Sequence, residues 1–305
     1  MDEITVLAPA TVSNVVCGFD CLGFALAEPY DRMTLRKIPE RGIRIVTHDD
    51  FGLPTDPTKN VAGVALKAFI EKANPDYGFE LEITKHIKPG SGIGSSAASS
   101  AGAVVAANLL MGSPFSKTEL VELAMAGEML ASGSRHADNL APCIYGGFVL
   151  VRSAEPLDII ELDFPPLFAT VIHPQIEIKT SDARAMLPMQ VPLKDAVRNW
   201  SNLGAFIAGL SKGDHDLIAR SMVDRIIEPV RNSLIPQFNE VKAAGLAAGA
   251  LGGGISGSGP SMFMLSRSRE IADGVAADIR SVYVKTGLEF IIYVSQISAD
   301  GVRPA

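Results

Sequence analysis

The chain has little of several features that define whole classes of protein. Its 305 residues include only three cysteines, none in a pattern typical of a metal site or a disulfide framework. It has no uninterrupted run of about 18 apolar residues, so we expect no membrane span. Asp and Glu outnumber Lys and Arg by 34 to 27, and the net charge of −7 argues against nucleic-acid binding. The first residues lack a basic and apolar leader, so we expect a cytoplasmic protein.

Strand and helix patterns are both present, but they do not alternate strictly along the chain. Alternating apolar residues predict a short strand over residues 4–8, and a helical period predicts a helix over residues 60–72. This mixture favours the α+β class with mixed sheets. The pattern of strand and helix signals changes after consecutive prolines at positions 165 and 166. We therefore expect two domains, 1–165 and 166–305.

A glycine- and serine-rich stretch stands before a run of small apolar residues. The sequence PGSGIGSSAASS, residues 89–100, holds three glycines, five serines and no charge. Glycines let the backbone curl around an anion at a helix start, where unpaired N–H groups point outward, so residues 89–99 predict a phosphate cradle. The alternative is a tight turn with helix-capping serines. No basic residue stands between Gly94 and Lys117, so we expect Mg²⁺, and not a lysine, to neutralise the phosphates.

The next predicted helix carries a carboxylate close to its apolar face. Ser116 and Glu119 form a capping-box pattern that sets the helix register. In that register Glu128 lies on or beside the apolar stripe, where an ionised carboxylate needs a partner. Mg²⁺ shared with Ser96 would supply one. A glutamate at the edge of the stripe that reaches water is the alternative.

Three glycine-containing segments occur in an order that is typical of one family. They are LAPATVSNVVCGFDCLGFAL at 7–26, PGSGIGSSAA at 89–98 and GGGISGSGPSMF at 252–263. With them the chain resembles the GHMP kinases. The segments SRHADNLAPCIYGGF at 134–148 and TSDARAMLP at 180–188 are similar to the branch of that family that phosphorylates homoserine.

The resemblance implies a fold, an activity and partners. It implies the two-domain GHMP kinase fold, with an N-terminal α/β domain packed on a ferredoxin-like C-terminal domain. It implies transfer of a phosphoryl group from ATP, with Mg²⁺, to the side-chain hydroxyl of L-homoserine. It also implies a homodimer. Another GHMP kinase, for mevalonate or a sugar, and a non-catalytic ligand sensor of the same fold remain alternatives.

The resemblance also implies roles for individual residues at the nucleotide end. Metal binding falls to Ser96 and Glu128. Asn60 would lie near the adenine, although a helix N-cap is the alternative role for this residue. The implied ATP-binding residues are Asn60, Pro89, Gly90, Ser91, Gly92, Ile93, Gly94, Ser95, Ser96, Ala97, Ala98 and Ser99.

The acceptor end is assigned in the same way. The implied catalytic residues are Asn14, His136 and Asn139, and the implied substrate-binding residues are Asn14, Asp20, His136, Arg184, Arg231 and Gly257. Paired arginines suit a free carboxylate better than a neutral sugar. The alternatives are turn chemistry for Asn14 and Asp20, solvated arginines, a structural histidine and a simple tight turn at Gly257. We find no Asp–Lys pair that would act as a base, so we expect catalysis by positioning and charge stabilisation.

Overall fold

The first part of the chain builds one large sheet. The computed structural model describes residues 1–48 and 50–305. The sheet has seven strands. Five of them pair in the order β11-β1-β2-β4-β3, β5 pairs with another part of β2, and β6 pairs with β5. The strands are β1 (Glu3–Val15), β2 (Gly18–Ile38), β3 (Ile43–His48), β4 (Gly78–Thr84), β5 (Phe148–Ala154), β6 (Leu157–Leu162) and β11 (Arg303–Pro304).

The first two strands are much longer than the sequence pattern predicts. The strand expected over residues 4–8 continues through Pro9 to Val15, and β2 runs for 21 residues. These two strands pair antiparallel over nearly their whole length, with register irregularities between Pro9 and Thr11 and between Ser13 and Val15. Such irregularities let a strand absorb a proline and bend, which a local alternation pattern does not record. Asn14, near the end of β1, and Asp20, near the start of β2, line the cleft described below.

Four helices follow the strands of this sheet, and the second of them is buried almost all round. In α2 only Ser96 and Leu109 are more than slightly accessible. Its many small residues, Ala, Gly and Ser, let neighbouring elements approach closely. It contacts α1, α3, β1 and β2. The four helices are α1 (Val61–Ala73), α2 (Ser95–Leu110), α3 (Lys117–Ser132) and α4 (Leu140–Tyr145).

The second part of the chain forms a four-stranded antiparallel sheet in the order β10-β7-β9-β8. Counted along the chain, that order is fourth, first, third, second, the ferredoxin-like arrangement, with α9 and α10 packed on the strands. Its strands are β7 (Phe168–Pro174), β8 (Gly252–Ile255), β9 (Met262–Ser266) and β10 (Phe290–Gln296). Its helices are α5 (Thr180–Ala185), α6 (Leu193–Lys212), α7 (His215–Ser221), α8 (Glu228–Arg231), α9 (Phe238–Ala247) and α10 (Arg269–Val284).

The two sheets belong to the two-domain fold that the sequence predicts. Division of the chain at residue 165 stays a proposal, and the terminal strand β11 returns to pair with β1 of the first sheet. Cys17, Cys21 and Cys143 are free thiols. Among the helices of residues 1–48 and 50–305, none is long and apolar enough to span a bilayer.

Candidate active site

A cleft of about 350 Å³ lies where the two sheets meet. Its walls come from the β1–β2 turn, the loop before α2, one face of α3, the segment before α4, and the loop between β8 and β9. The sequence-predicted residues that line it are Asn14, Asp20, Asn60, Pro89, Gly90, Gly92, Gly94, Ser95, Ser96, Ser99, Glu128, His136, Asn139, Arg184, Arg231 and Gly257.

The glycine loop ends in the start of α2, as the sequence predicts. Gly94 occupies the N-cap position with φ 72°, and its lack of a side chain leaves the first N–H groups of the helix without a cap from that residue. A Cβ on Gly94 would come within 2.0 Å of Thr11 Oγ1. Glycine is therefore required there by backbone conformation and by space. The geometry is that of an anion site at a helix N-terminus.

Four residues of the predicted cradle have side chains that do not line the cleft. Ser91, Ile93, Ala97 and Ala98 are buried behind it. The Ser91 carbonyl accepts a 2.6 Å hydrogen bond from Ser261 Oγ, and the Ile93 carbonyl accepts one of 3.1 Å from the Thr11 N–H. These residues fix the loop to strand β1 and to the second sheet.

The carboxylate of α3 meets the first turn of α2. Ser96 Oγ donates a hydrogen bond of 2.9 Å to Glu128 Oε2. Burial raises the pKa of Glu128, and the bond from Ser96 opposes that effect. A hydroxyl and a carboxylate side by side are oxygen ligands of the kind that Mg²⁺ takes together with phosphates and water. Within the described ranges no group of three His, Cys, Asp or Glu side chains could hold a metal, so these two ligands would need phosphate oxygens to complete a site.

A lysine that the sequence reading missed stands behind the cradle. Lys85 lies on the cleft wall with its side chain almost fully buried, in an ion pair with the fully buried carboxylate of Asp31. Its ammonium also donates to the carbonyl of Ser95 at 2.8 Å and to Ser99 Oγ at 2.9 Å. The expected cradle without a lysine is therefore incomplete. The only sequence signal was a Lys at the end of strand β4, ten residues before α2 begins.

Asn60 is the N-cap of helix α1. Its Oδ1 accepts hydrogen bonds from the N–H groups of Ala62 and Gly63, at 2.9 and 3.4 Å, and its Nδ2 donates to the Pro54 carbonyl at 2.8 Å. The capping role is thus present. Its nearness to an adenine stays a prediction, supported by its place on the cleft wall.

The part of the cleft predicted to hold the acceptor brings together the Asp20 carboxylate and the guanidinium groups of Arg184 and Arg231. Arg184 Nη2 lies 2.8 and 2.9 Å from the two carboxylate oxygens of Asp20. Arg231 is buried, and its Nε donates to the Ala183 carbonyl at 3.0 Å. Burial lowers the pKa of Arg231, and the nearby charge of Arg184 lowers it further. The three predicted residues are brought together from three separate elements.

Asn14 ties the β1–β2 turn to the C-terminal glycine loop. Its Nδ2 donates to the Gly257 carbonyl and its Oδ1 accepts from the Asp20 N–H, both at 2.8 Å. The Gly257 N–H in turn donates to the Ser13 carbonyl at 3.1 Å. Asn14 and Asp20 both have left-handed backbones, with φ of 57° and 58°. The turn chemistry considered as an alternative for Asn14 is therefore present.

The segment before α4 brings three polar residues to the cleft. Asn139 accepts a 2.8 Å bond from Thr11 Oγ1 and donates one of the same length to Ser13 Oγ, so strand β1 fixes its orientation. His136 Nε2 is buried and has no hydrogen-bond partner among the described residues. Asp138, which the sequence reading missed inside SRHADN, lines the cleft as well, and its burial, with the Asp20 charge, raises its pKa.

Comparison with known proteins agrees with this geometry. Residues 60–147 match the N-terminal domain of the GHMP kinases, and residues 206–285 match their C-terminal domain. The chain is 46% identical to the homoserine kinase of Chlorobaculum tepidum, over 99% of this chain and 98% of that one. The chain belongs to the homoserine kinase family. It is also 46% identical to the homoserine kinase of Chlorobium phaeobacteroides, over 99% of both chains.

Solved structures lead to the same family. A crystal structure of homoserine kinase from Cytophaga hutchinsonii superposes with a TM-score of 0.96, at 48% identity, over 100% of this chain and 98% of that one. A mevalonate kinase from L. major superposes with a TM-score of 0.73 at 18% identity, over 95% of both chains, which shows a shared fold only. The chain is therefore an ATP-using kinase of the GHMP fold, as the sequence predicts.

Proposed function

We propose that this protein transfers the γ-phosphoryl group of ATP to the side-chain hydroxyl of L-homoserine, giving O-phospho-L-homoserine and ADP. The observation that carries the proposal is the set of charges formed by Asp20, Arg184 and Arg231 in the same cleft as the glycine loop. One carboxylate and two guanidinium groups match the ammonium and the carboxylate of a free amino acid.

The phosphate end would hold ATP through its backbone. The start of α2 lines the cleft with no side-chain cap on its first N–H groups, and the partial positive charge of the helix N-terminus favours phosphate. Lys85 has its three donors occupied by Asp31, Ser95 and Ser99. It therefore contributes a fixed positive charge behind the first turn of α2 and no direct bond to phosphate.

Ser96 and Glu128 would hold Mg²⁺ together with the phosphates. Their oxygen atoms fit that ion, and the buried Glu128 carboxylate forms no ion pair with a lysine or arginine of the described residues. When bound, Mg²⁺ supplies neutralisation of charge on the β- and γ-phosphate oxygens. Deprotonation of Glu128 is needed for this role, so its raised pKa makes metal binding weaker at acid pH.

The charged groups of the proposed acceptor end pair with each other in the absence of substrate. Asp20 and Arg184 pair with each other, although both side chains remain partly exposed, at 32% and 41%. The ammonium of homoserine would take the place of Arg184 beside Asp20, and its carboxylate would take the place of Asp20 beside Arg184 and Arg231. Asp20 and Arg184 then each exchange one charged partner for another, and neither is left unpaired.

Catalysis in this proposal rests on positioning. A loose phosphoryl-transfer transition state places little charge on the attacking hydroxyl, so a strong base is not required. Asn14 and Asn139 keep the cleft walls in place through bonds that are already made, and His136 offers a ring nitrogen without a protein partner. Asp138 is a second acceptor for the hydroxyl proton on the same wall.

Turnover on a panel of acceptors tests the proposal. With MgATP, the purified protein is offered L-homoserine, mevalonate, galactose and shikimate, and the phosphorylated product is identified by ³¹P NMR. We expect kcat/KM for homoserine to exceed that for the others by about 100-fold or more, because a lost charge pair costs roughly 3 kcal/mol. Equal rates would favour another GHMP kinase. Homoserine binding without turnover would favour a ligand sensor.

Two further properties remain proposals from the sequence. We propose a homodimer, which sedimentation at micromolar concentration would test. We also keep the cytoplasmic location as a prediction.

A further inference from the structure

A single aromatic ring touches both arginines of the acceptor end. The Cζ atom of Arg231 lies 4.9 Å from the ring centroid of Phe19, and that of Arg184 lies 5.6 Å from it. Both distances fall within the range of a cation–π interaction. Phe19 is the second residue of strand β2 and directly precedes Asp20, whereas the arginines come from α5 and α8. One residue of the first sheet therefore joins two helices of the second part of the chain.

The two guanidinium groups need such a contact because they repel each other. After burial, the charge of Arg184 is the largest cause that lowers the pKa of Arg231. Asp20 offsets this repulsion at present through its bonds to Arg184. When the ammonium of a substrate takes Asp20, that offset weakens. The face of Phe19 has no competing role in the proposed exchange of partners, so it stays in contact with both cations before and after binding.

We infer that Phe19 is a positioning residue, which holds Arg184 and Arg231 in place as a preformed clamp for the α-carboxylate of the acceptor. The inference rests on the proposed function and goes beyond it, because it assigns carboxylate selectivity in part to an apolar ring. A preformed clamp lowers the ordering cost of binding, so its loss should appear in KM for the amino acid and much less in kcat.

A leucine at this position tests the inference, since it keeps apolar volume and removes the ring face. For Phe19→Leu we expect kcat/KM for L-homoserine to fall about tenfold, mainly through KM, while KM for ATP stays within about twofold. L-Homoserine amide has an uncharged group in place of the carboxylate. With that acceptor, assayed at high enzyme concentration, the same variant should retain kcat/KM within about twofold of the wild type. Phe19→Tyr, which restores a ring, should recover most of the loss.

Phe164→Leu is the matched control, because Phe164 is also half-buried and packs on an aromatic ring, that of Phe148, at 5.4 Å. It should leave both acceptors unaffected. Equal losses with homoserine and its amide, or no loss with either, would overturn the role of Phe19 alone. A wild-type protein that turns over neither acceptor would instead overturn the proposed function.

Discussion

The two proposed ends of the cleft match the charge of a ligand by different means. The cradle at the proposed phosphate end is one continuous run, residues 89–99, with backbone N–H groups and hydroxyls at the start of a helix. The proposed acceptor end is built from Asp20, Arg184 and Arg231. Asp20 and Arg184 are 164 positions apart in the chain. A polyanion can be held by many weak donors in a row, whereas a zwitterion needs two opposite full charges at fixed places.

The charged pairs of the two ends also differ in burial. Lys85 and Asp31 are closed off from solvent, with side chains 1% and 0% exposed, whereas Arg184 and Asp20 are 41% and 32% exposed. The buried pair has every donor of its ammonium committed to the protein. The exposed pair can exchange partners with a ligand. The difference supports the proposal that Lys85 and Asp31 shape the site whereas Arg184 and Asp20 bind substrate.

The buried pair should show the largest effect when it is broken. Lys85→Met leaves Asp31 as an unpaired buried carboxylate, and we expect unfolding free energy to fall by about 3–5 kcal/mol in urea titrations. The double variant Asp31→Asn with Lys85→Met should recover most of that loss. Lys67→Met removes a surface pair with Glu71 and should cost under about 0.5 kcal/mol. Similar losses for Lys85→Met and Lys67→Met would contradict the comparison.

The proposed metal-binding pair, Ser96 and Glu128, should control turnover more than folding. Glu128→Gln keeps the shape of the side chain and weakens its hold on Mg²⁺. We expect kcat to fall about 100-fold or more at neutral pH, since charge neutralisation by the metal is worth several kcal/mol. Glu122→Gln, on an exposed face of the same helix, is the control and should be active. Full activity of Glu128→Gln would place the metal elsewhere.

The exposed pair should govern the acceptor and leave ATP unaffected. Lysine keeps the charge of Arg184 but loses the planar fork that can take a carboxylate with two bonds. For Arg184→Lys we expect kcat/KM for homoserine to drop about 10- to 50-fold, with KM for ATP unchanged. Arg198→Lys, at an exposed position of helix α6, supplies the matched control. A rise in KM for ATP alone would reverse the assignment of the two ends.

The smallest expected effect concerns pH and stability. Burial raises the pKa of Glu128 above 4.5 in the folded protein, so the folded state retains a proton there that the unfolded state has lost. Without Mg²⁺, this group lowers stability as pH rises from 4.5 through its folded pKa. At neutral pH we expect metal-free Glu128→Gln to melt about 2 °C above the wild type, with no gain at pH 4.5. A gain that grows toward acid pH would contradict this sign.

The phosphate end could be predicted from sequence because its information is local. Closely spaced glycines and serines specify both the loop and the helix start. The register of α3 predicted Glu128 on or beside the apolar stripe, and the structure brings it to Ser96. Strand lengths could not be predicted as well from the local pattern. The pattern stopped at Pro9, whereas pairing with β2 carries the strand on to Val15.

The residues that sequence reading missed act through contacts distant in the chain. Lys85 reaches Asp31 across 54 positions, and nothing in its neighbours marks it as buried. Phe19 stands inside a quoted motif, yet its contacts with Arg184 and Arg231 exist only after the second sheet docks. Asp138 was missed for the same reason, because its neighbours Ser13 and Asp20 come from strands β1 and β2.

The most direct test of the two-ended cleft is a crystal structure with Mg²⁺, a non-hydrolysable ATP analogue and L-homoserine. The account predicts the triphosphate along residues 89–99, the homoserine ammonium beside Asp20, and its carboxylate between Arg184 and Arg231. A triphosphate bound away from the start of α2, or a homoserine whose carboxylate faces away from both arginines, would contradict it.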